Sequence, residues 1–338
     1  MYYPYNSRDT LYKSKFGAVA SGESLKLRLL LHLDAKVHDA YLCIRRDGEE
    51  IIWHKLTPAN LYDNYKAYEI DISFDNGLYF YKFCYTSDYG EFSVTKNEEG
   101  LGVVSNEGEW WQLTCYDKNY STPDWLKGGI IYQIFPDRFK NSGKAKEGVP
   151  SDRYLCEDWG KKPEYRQNIG SCSLGNDYYG GDIKGVTEKL PYLASLGVSC
   201  IYLNPIFEAH SNHRYNTADY MKIDPLLGSD KDLEELCKKA EKHGISVILD
   251  GVFSHTGDDS LYFNKHGRYG DGGAYRDQNS PYFKWFKFQN WPNKYHSWWG
   301  VVTLPETVEE EPSFDKFVTG ENGVIRHWMR KGVKGWRL

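Results

Sequence analysis

The chain has 338 residues, of which 40% are hydrophobic and 26% charged, and its net charge is −5. That length accommodates two ordinary domains or one large one with an insertion, and the slight acidic excess gives no electrostatic basis for binding nucleic acid or an anionic membrane. No stretch approaches the roughly 18 apolar residues of a membrane span, and the N-terminus MYYPYNSRDT lacks the basic-then-apolar order of a signal peptide.

In chain order, residues 24–29 (SLKLRL) alternate polar and apolar, the period of a half-buried strand. Asp47-Gly48 marks a turn. The β-prone runs 68–74 and 78–85, joined by Asp75-Asn76-Gly77, predict a hairpin, because Asn and Gly tolerate positive φ. Short strands with turns between them predict a β-sandwich over 1–117, and the polar, Pro123-containing stretch that follows predicts a linker over 118–127. The pattern then changes. Residues 129–135 (GIIYQIF) are a continuous apolar run, expected of a strand buried on both faces. Residues 184–196 read as an amphipathic helix, 198–203 (VSCIYL) as a second buried strand, and 229–242 as a helix that Ser229 and Asp232 cap and Gly244 ends. Residues 245–250 (ISVILD) form a third strand. This β-α-β-α-β order predicts parallel strands. Residues 255–312, rich in Gly, Asn, Tyr and Trp, are too long for a simple loop and predict an inserted subdomain. Helical character returns at 323–331, and GVKGWRL (332–338) reads as a fourth strand.

The seven cysteines, at 43, 84, 115, 156, 172, 200 and 237, form no C-x-x-C pair and read as reduced, buried thiols of a cytoplasmic protein. The 28 Tyr, 15 Phe and 11 Trp imply either aromatic cores, which composition favours, or surfaces that stack on flat rings. In an α/β barrel the site lies at the C-terminal strand ends. Those ends here carry Pro136-Asp137-Arg138, Asn204-Pro205, Asp250 and Arg337, with His255 and the segment 213–220 (HRYNTADY) nearby. Taken alone, Asp250 and Arg337 fit a structural ion pair as well as a reactive site.

Five ordered blocks resemble the α-amylase family of glycoside hydrolases: YQIFPDRF (132–139), DYYGGDIKG (177–185), GVSCIYLNPIFEAHSNHRYNTADY (197–220), DGVFSH (250–255) and GWRL (335–338). The N-terminal β-region, with Phe16-Gly17-Ala18 near its start, resembles the starch-binding module of the neopullulanase, cyclomaltodextrinase and amylopullulanase group. The resemblance implies the first half of a TIM (β/α)8 barrel over 128–338, with the inserted subdomain after its third strand. It also implies retaining hydrolysis of α-glucosidic bonds by a carboxylate pair about 5 Å apart. The expected partner is an α-glucan; members of the group are often homodimers.

Residue by residue, the resemblance implies that Tyr215 stacks on the sugar, His255 hydrogen-bonds its primary hydroxyl, and His213 borders it. It makes Arg337 the group that orients the nucleophile and Asp250 an orienting residue, although a strand-end aspartate read alone looks like the nucleophile itself. The nucleophile falls immediately after Leu338, so the 338 residues alone are expected to be inactive, with poorly protected strand edges. No cofactor is required. Asn141, Gly180 and Asp182 fall where relatives place a Ca²⁺ site, but Lys144 and Lys146 in the same loop, NSGKAKE, argue against a cation there. His210 and His213, spaced H-x-x-H without further ligands, do not make a zinc site. A non-catalytic α-glucan-binding protein is the alternative reading. A transporter-associated, amylase-like subunit is set aside for want of a membrane helix.

Overall fold

The alternation in LKLRLLLH becomes the strand Leu25–His32, whose Leu25, Leu27 and Leu29 are fully buried. The structure is a computed structural model and describes residues 2–146, 149, 151, 153–162, 175 and 177–338. Cys172, and Glu147 at the end of the NSGKAKE loop, lie outside the described residues. The chain divides into two units, Met1–Ser121 and Thr122–Leu338.

In the first unit Leu25–His32 pairs antiparallel with Tyr65–Ile72, which pairs in turn with Thr57–Tyr62. A seven-stranded sheet is built around Val37–Arg46 and Gly77–Ser87. Leu27 and Leu29 of the first sheet and Leu42, Phe83 and Leu113 of the second share one core. The Asp47-Gly48 turn joins Val37–Arg46 to its antiparallel partner Ile52–Lys55, with Gly48 at φ +79.

The hairpin expected at Asp75-Asn76-Gly77 is not formed. The strands on either side belong to different sheets, so this segment carries the chain from one sheet to the other. The chain bends at Asn76 and passes directly into the next strand. Each strand gains a longer ladder from a distant partner, eight residue pairs in the case of Tyr65–Ile72 with Leu25–His32.

The second unit contains a four-stranded parallel sheet: β1 (Ile130–Ile134), β2 (Val198–Leu203), β3 (Ser246–Asp250) and β4 (Gly335–Arg337), in that spatial order. β1 is not buried on both faces as expected. Ile130 and Ile131 are each about half exposed, because β1 is an edge strand that pairs only with β2 among the described residues. Among the described residues five helices accompany the sheet: α1 (Ile183–Glu188), α2 (Leu190–Ser195), α3 (Asp230–Lys242), α4 (Pro312–Thr319) and α5 (Val324–Arg330).

The single helix expected over 184–196 is thus two, broken at Lys189. Pro191 sits in the first turn of α2, where its missing N–H costs nothing, and it would clash inside a continuous helix. α3 carries the expected capping box, with Ser229 and Asp232 bonded reciprocally. Its Leu233 and Leu236 are fully buried, each stabilising the fold by about 1.5–3 kcal/mol. Within the stretch read as a linker, Asp124–Leu126 form a 3₁₀ turn of the second unit. Residues 255–312 have little regular structure but a dense aromatic interior, with Phe263 packed against Tyr275, Phe286, Phe288 and Tyr295. The six described cysteines are all buried and unbridged. No described helix is long and apolar enough to cross a membrane.

Candidate active site

In-register parallel pairing places equivalent residues of adjacent strands on the same face. Gln133 lies opposite Tyr202, Tyr202 opposite Ile248, and Asp250 opposite Arg337. Ile248 and Asp250 are two residues apart on one face of β3, so Gln133, Tyr202, Asp250 and Arg337 share one face of the sheet toward its C-terminal end. Gln133 donates to Asn204 Oδ1 at 2.8 Å, and Asn204 donates to the Tyr215 hydroxyl at 3.4 Å. The Tyr215 hydroxyl donates to Asp250 Oδ2 at 3.1 Å, and Tyr202 donates to the same oxygen. Arg337 Nη1 stands 3.8 Å from Asp250 Oδ1. Burial and the Asp250 charge raise the pKa of both phenols, so both remain donors.

Tyr215 is held by the loop before it. Arg214, fully buried at φ +60, donates to the Asn212 carbonyl at 2.6 Å and pairs through Nε with Asp224 at 3.2 Å. Arg153 grips both oxygens of Asp224, at 3.0 and 2.9 Å. Two guanidiniums on one buried carboxylate fix the backbone from which Tyr215 projects.

His213 Nδ1 accepts from the Tyr215 N–H at 3.1 Å, and its ring centroid is 5.9 Å from that of Tyr215. Burial, aided by the charges of Arg214 and His255, pushes its pKa down to about 4. His255 is buried, with Nδ1 3.1 Å from Ser254 Oγ and the ring 5.0 Å from that of Trp298. Burial lowers its pKa too, against a smaller opposite effect of the Tyr215 backbone. Two side-chain atoms in this cluster, Asp250 Oδ1 and His255 Nε2, are buried without a hydrogen-bond partner. Native structures rarely leave such atoms unpaired.

The structure thus gathers Asp250, Arg337, Tyr215, His213 and His255 into one cluster. Sequence reasoning missed Tyr202, for which its parity with Asp250 across β2 and β3 was an available signal. The pair Trp298-Trp299 stands out in the sequence as a glucan-stacking or cleft-wall candidate, but its place beside His255, 43 positions away, is not readable there.

Asn141, Gly180 and Asp182 also come together, at the start of α1, but they do not fit a cation. Asp182 Oδ1 caps α1 by accepting from the Gly185 N–H at 2.6 Å. Its Oδ2 accepts from Ser142 Oγ at 2.7 Å and from the Lys146 ammonium. The Asn141 Oδ1 accepts from the Gly143 N–H at 2.7 Å. Lys144 pairs with Asp232 at 3.0 Å. The oxygens a hard cation would need are engaged by ammonium and N–H donors, and among the described residues no group of three or more His, Cys, Asp or Glu could hold a metal.

Aromatic rings beside buried polar atoms without hydrogen-bond partners, at the C-terminal ends of parallel strands, make this cluster the candidate ligand site. Residues 133–338 match the α-amylase catalytic domain, and the chain belongs to the α-amylase family of glycoside hydrolases. It is 35% identical to the amylopullulanase of Thermoanaerobacterium saccharolyticum, over 99% of this chain and 29% of that protein. It is 34% identical to neopullulanase 2 of Thermoactinomyces vulgaris, over 76% of this chain and 42% of that protein. Among solved structures it resembles the type III pullulan hydrolase from Thermococcus kodakarensis, with a TM-score of 0.55 and 27% identity over 99% of this chain and 55% of that one. The chain therefore spans less than half the length of these two curated relatives.

Proposed function

We propose that this chain supplies one wall of an α-glucan site whose chemistry is retaining hydrolysis of α-glucosidic bonds in maltodextrins, pullulan or cyclodextrins. The observation that carries the reading is the pair of buried atoms without a hydrogen bond, Asp250 Oδ1, which has Arg337 Nη1 3.8 Å away, and His255 Nε2, beside the rings of Tyr215 and Trp298. A pyranose offers hydroxyls at its rim for such atoms and an apolar C–H face for the rings.

In this reading Tyr215 stacks on the reacting sugar, its ring angle set by the hydroxyl bond to Asp250. His255, kept neutral by burial, bonds a sugar hydroxyl through Nε2. Asp250 accepts a second hydroxyl through Oδ1. Arg337, more than half exposed beside Asp250, is a positioning residue: its planar guanidinium orients the carboxylate nucleophile that the family resemblance implies. Retention needs a nucleophile and an acid about 5 Å apart, and the residues named here bind and orient the sugar for such a pair. The first unit, in the same reading, is a starch-binding module.

Calorimetric titration tests the reading. Maltoheptaose is expected to bind and an equally long β-linked glucan is not. Tyr215→Ala and His255→Ala should each weaken maltoheptaose binding about tenfold or more. Equal binding of both glucans would contradict it.

A further inference from the structure

Trp299 combines two properties that folding alone does not reward. Its side chain is 89% exposed, and its backbone lies in the left-handed region at φ +52, ψ +27. A bulky residue there is a strained outlier, and such strain persists only where surrounding contacts impose it, as they do at ligand clamps. The contacts are visible. The Trp298 N–H donates to the Leu304 carbonyl at 3.0 Å, and the Gly300 N–H donates to the Ser297 carbonyl at 3.1 Å. The Tyr295 hydroxyl ties Val302 at 2.7 Å.

This turn is also anchored to the sugar site. The Thr256 N–H donates to the Pro305 carbonyl at 3.1 Å, the Glu306 N–H to the His296 carbonyl at 3.1 Å, and the Thr307 N–H to the Ser254 carbonyl at 3.0 Å. Residues 305–307 thereby bind the loop of His255 to the base of the tryptophan turn. Trp298 lies 5.0 Å from His255, and Trp299 lies 5.6 Å from Trp298, tilted by 34°. The rings form a staircase leading outward from the unpartnered His255 Nε2.

We infer that Trp299 is a second stacking platform, which takes a further glucose unit of a chain whose first unit occupies the Tyr215–His255 site. The inference rests on the α-glucan reading of that site and adds a length preference to it. The inner groups satisfy one sugar's hydroxyls; the exposed indole, two ring-steps away, meets only a ligand long enough to reach it. An aromatic face contacts the C–H face of any pyranose without selecting its hydroxyls, so the platform confers affinity for length rather than identity.

The test compares maltose and maltoheptaose on the 338-residue chain. Trp299→Ala is expected to weaken maltoheptaose binding about tenfold and leave maltose binding unchanged, and Trp299→Phe to keep both. Trp299→Gly separates binding from folding. Glycine favours this backbone conformation, so its melting temperature should equal or exceed the parent's while maltoheptaose affinity falls as in the alanine variant. If the parent binds both sugars and the alanine and glycine variants bind maltoheptaose equally well, the platform is overturned and the site reading stands. If the folded parent binds neither sugar, both fall.

Discussion

A neutral imidazole is part of the loop that presents Tyr215. His213 Nδ1 accepts the Tyr215 N–H, a bond that a protonated ring cannot make. Burial, together with the charges of Arg214 and His255, lowers its pKa from 6.5 to about 4. In the unfolded chain the ring titrates at its ordinary value, so between these limits the unfolded state binds more protons and stability falls as pH falls. The contribution is complete above about pH 6.5 and is lost as pH drops through about 4. His255 and His327, both lowered by burial, act in the same sense; Asp258, raised by burial, acts in the opposite one. Carboxylates lowered by their lysine or serine partners, such as Glu235 and Glu311, lose their contribution only below the ordinary carboxylate range. His213→Asn replaces the accepting nitrogen by an amide oxygen that does not titrate. It is expected to remove about 2 kcal/mol of the stability lost between pH 6.5 and pH 4, a figure reduced for screening at a partly exposed ring. Urea midpoints measured across that range for parent and variant check this. Identical slopes would exclude His213 as the titrating group.

At the scale of elements, the start of α1 shows how a side chain can replace an ion. Asp182 caps the helix with one oxygen and receives Lys146 on the other, and both side chains are largely buried. Removing one partner of such a pair leaves the other charge uncompensated, at a cost of about 3–5 kcal/mol. Lys146→Met is accordingly expected to lower the melting temperature of the second unit markedly, whereas neither EDTA nor millimolar Ca²⁺ should move that of the parent. A calcium-dependent rise in the parent would show that the ammonium does not fill this role. The lysines at 144 and 146 were readable as arguments against a cation, but their carboxylate partners, Asp232 and Asp182, were not. Where a signal is local the sequence was explicit: β2 occupies the expected residues, and the Ser229–Asp232 capping box starts α3. Where the outcome depends on a distant partner it was silent. Asp75-Asn76-Gly77 has the chemistry of a turn, but which sheet takes the next strand is decided by ladders to residues 25–32 and 37–46. α4 escaped notice because Glu311, in a run of glutamates, caps it through its side chain just before Pro312. In the site, Asp250 and Arg337 were legible because they end parallel strands. Tyr202 required the register, and Trp298 required the path of residues 305–307.

For the molecule as a whole, each unit closes its own core. The first cluster draws only on residues from Tyr5 to Cys115, and the second only on residues from Ile134 to Val333. A core of its own and a length near 120 residues are what an independently folding domain requires. Between the last strand of the first unit, Trp111–Tyr116, and the 3₁₀ turn Asp124–Leu126, the backbone belongs to no helix or strand, and its side chains are exposed. Exposed polar segments without ladder bonds are where proteases act first. Brief trypsin treatment of the native chain is therefore expected to cut at Lys118, whose N–H is held only by Ser21 Oγ, and to leave two resistant fragments. Calorimetry of the uncut chain should then resolve two transitions, with the calorimetric enthalpy of the whole exceeding the van't Hoff value of either. The isolated N-terminal fragment should reproduce one of them at an unchanged temperature. A single two-state transition, or an N-terminal fragment that melts without cooperativity, would mean that the separate cores do not make separate folding units. The pH and Lys146 effects should then follow the transition of the second unit alone, since every group they invoke belongs to it.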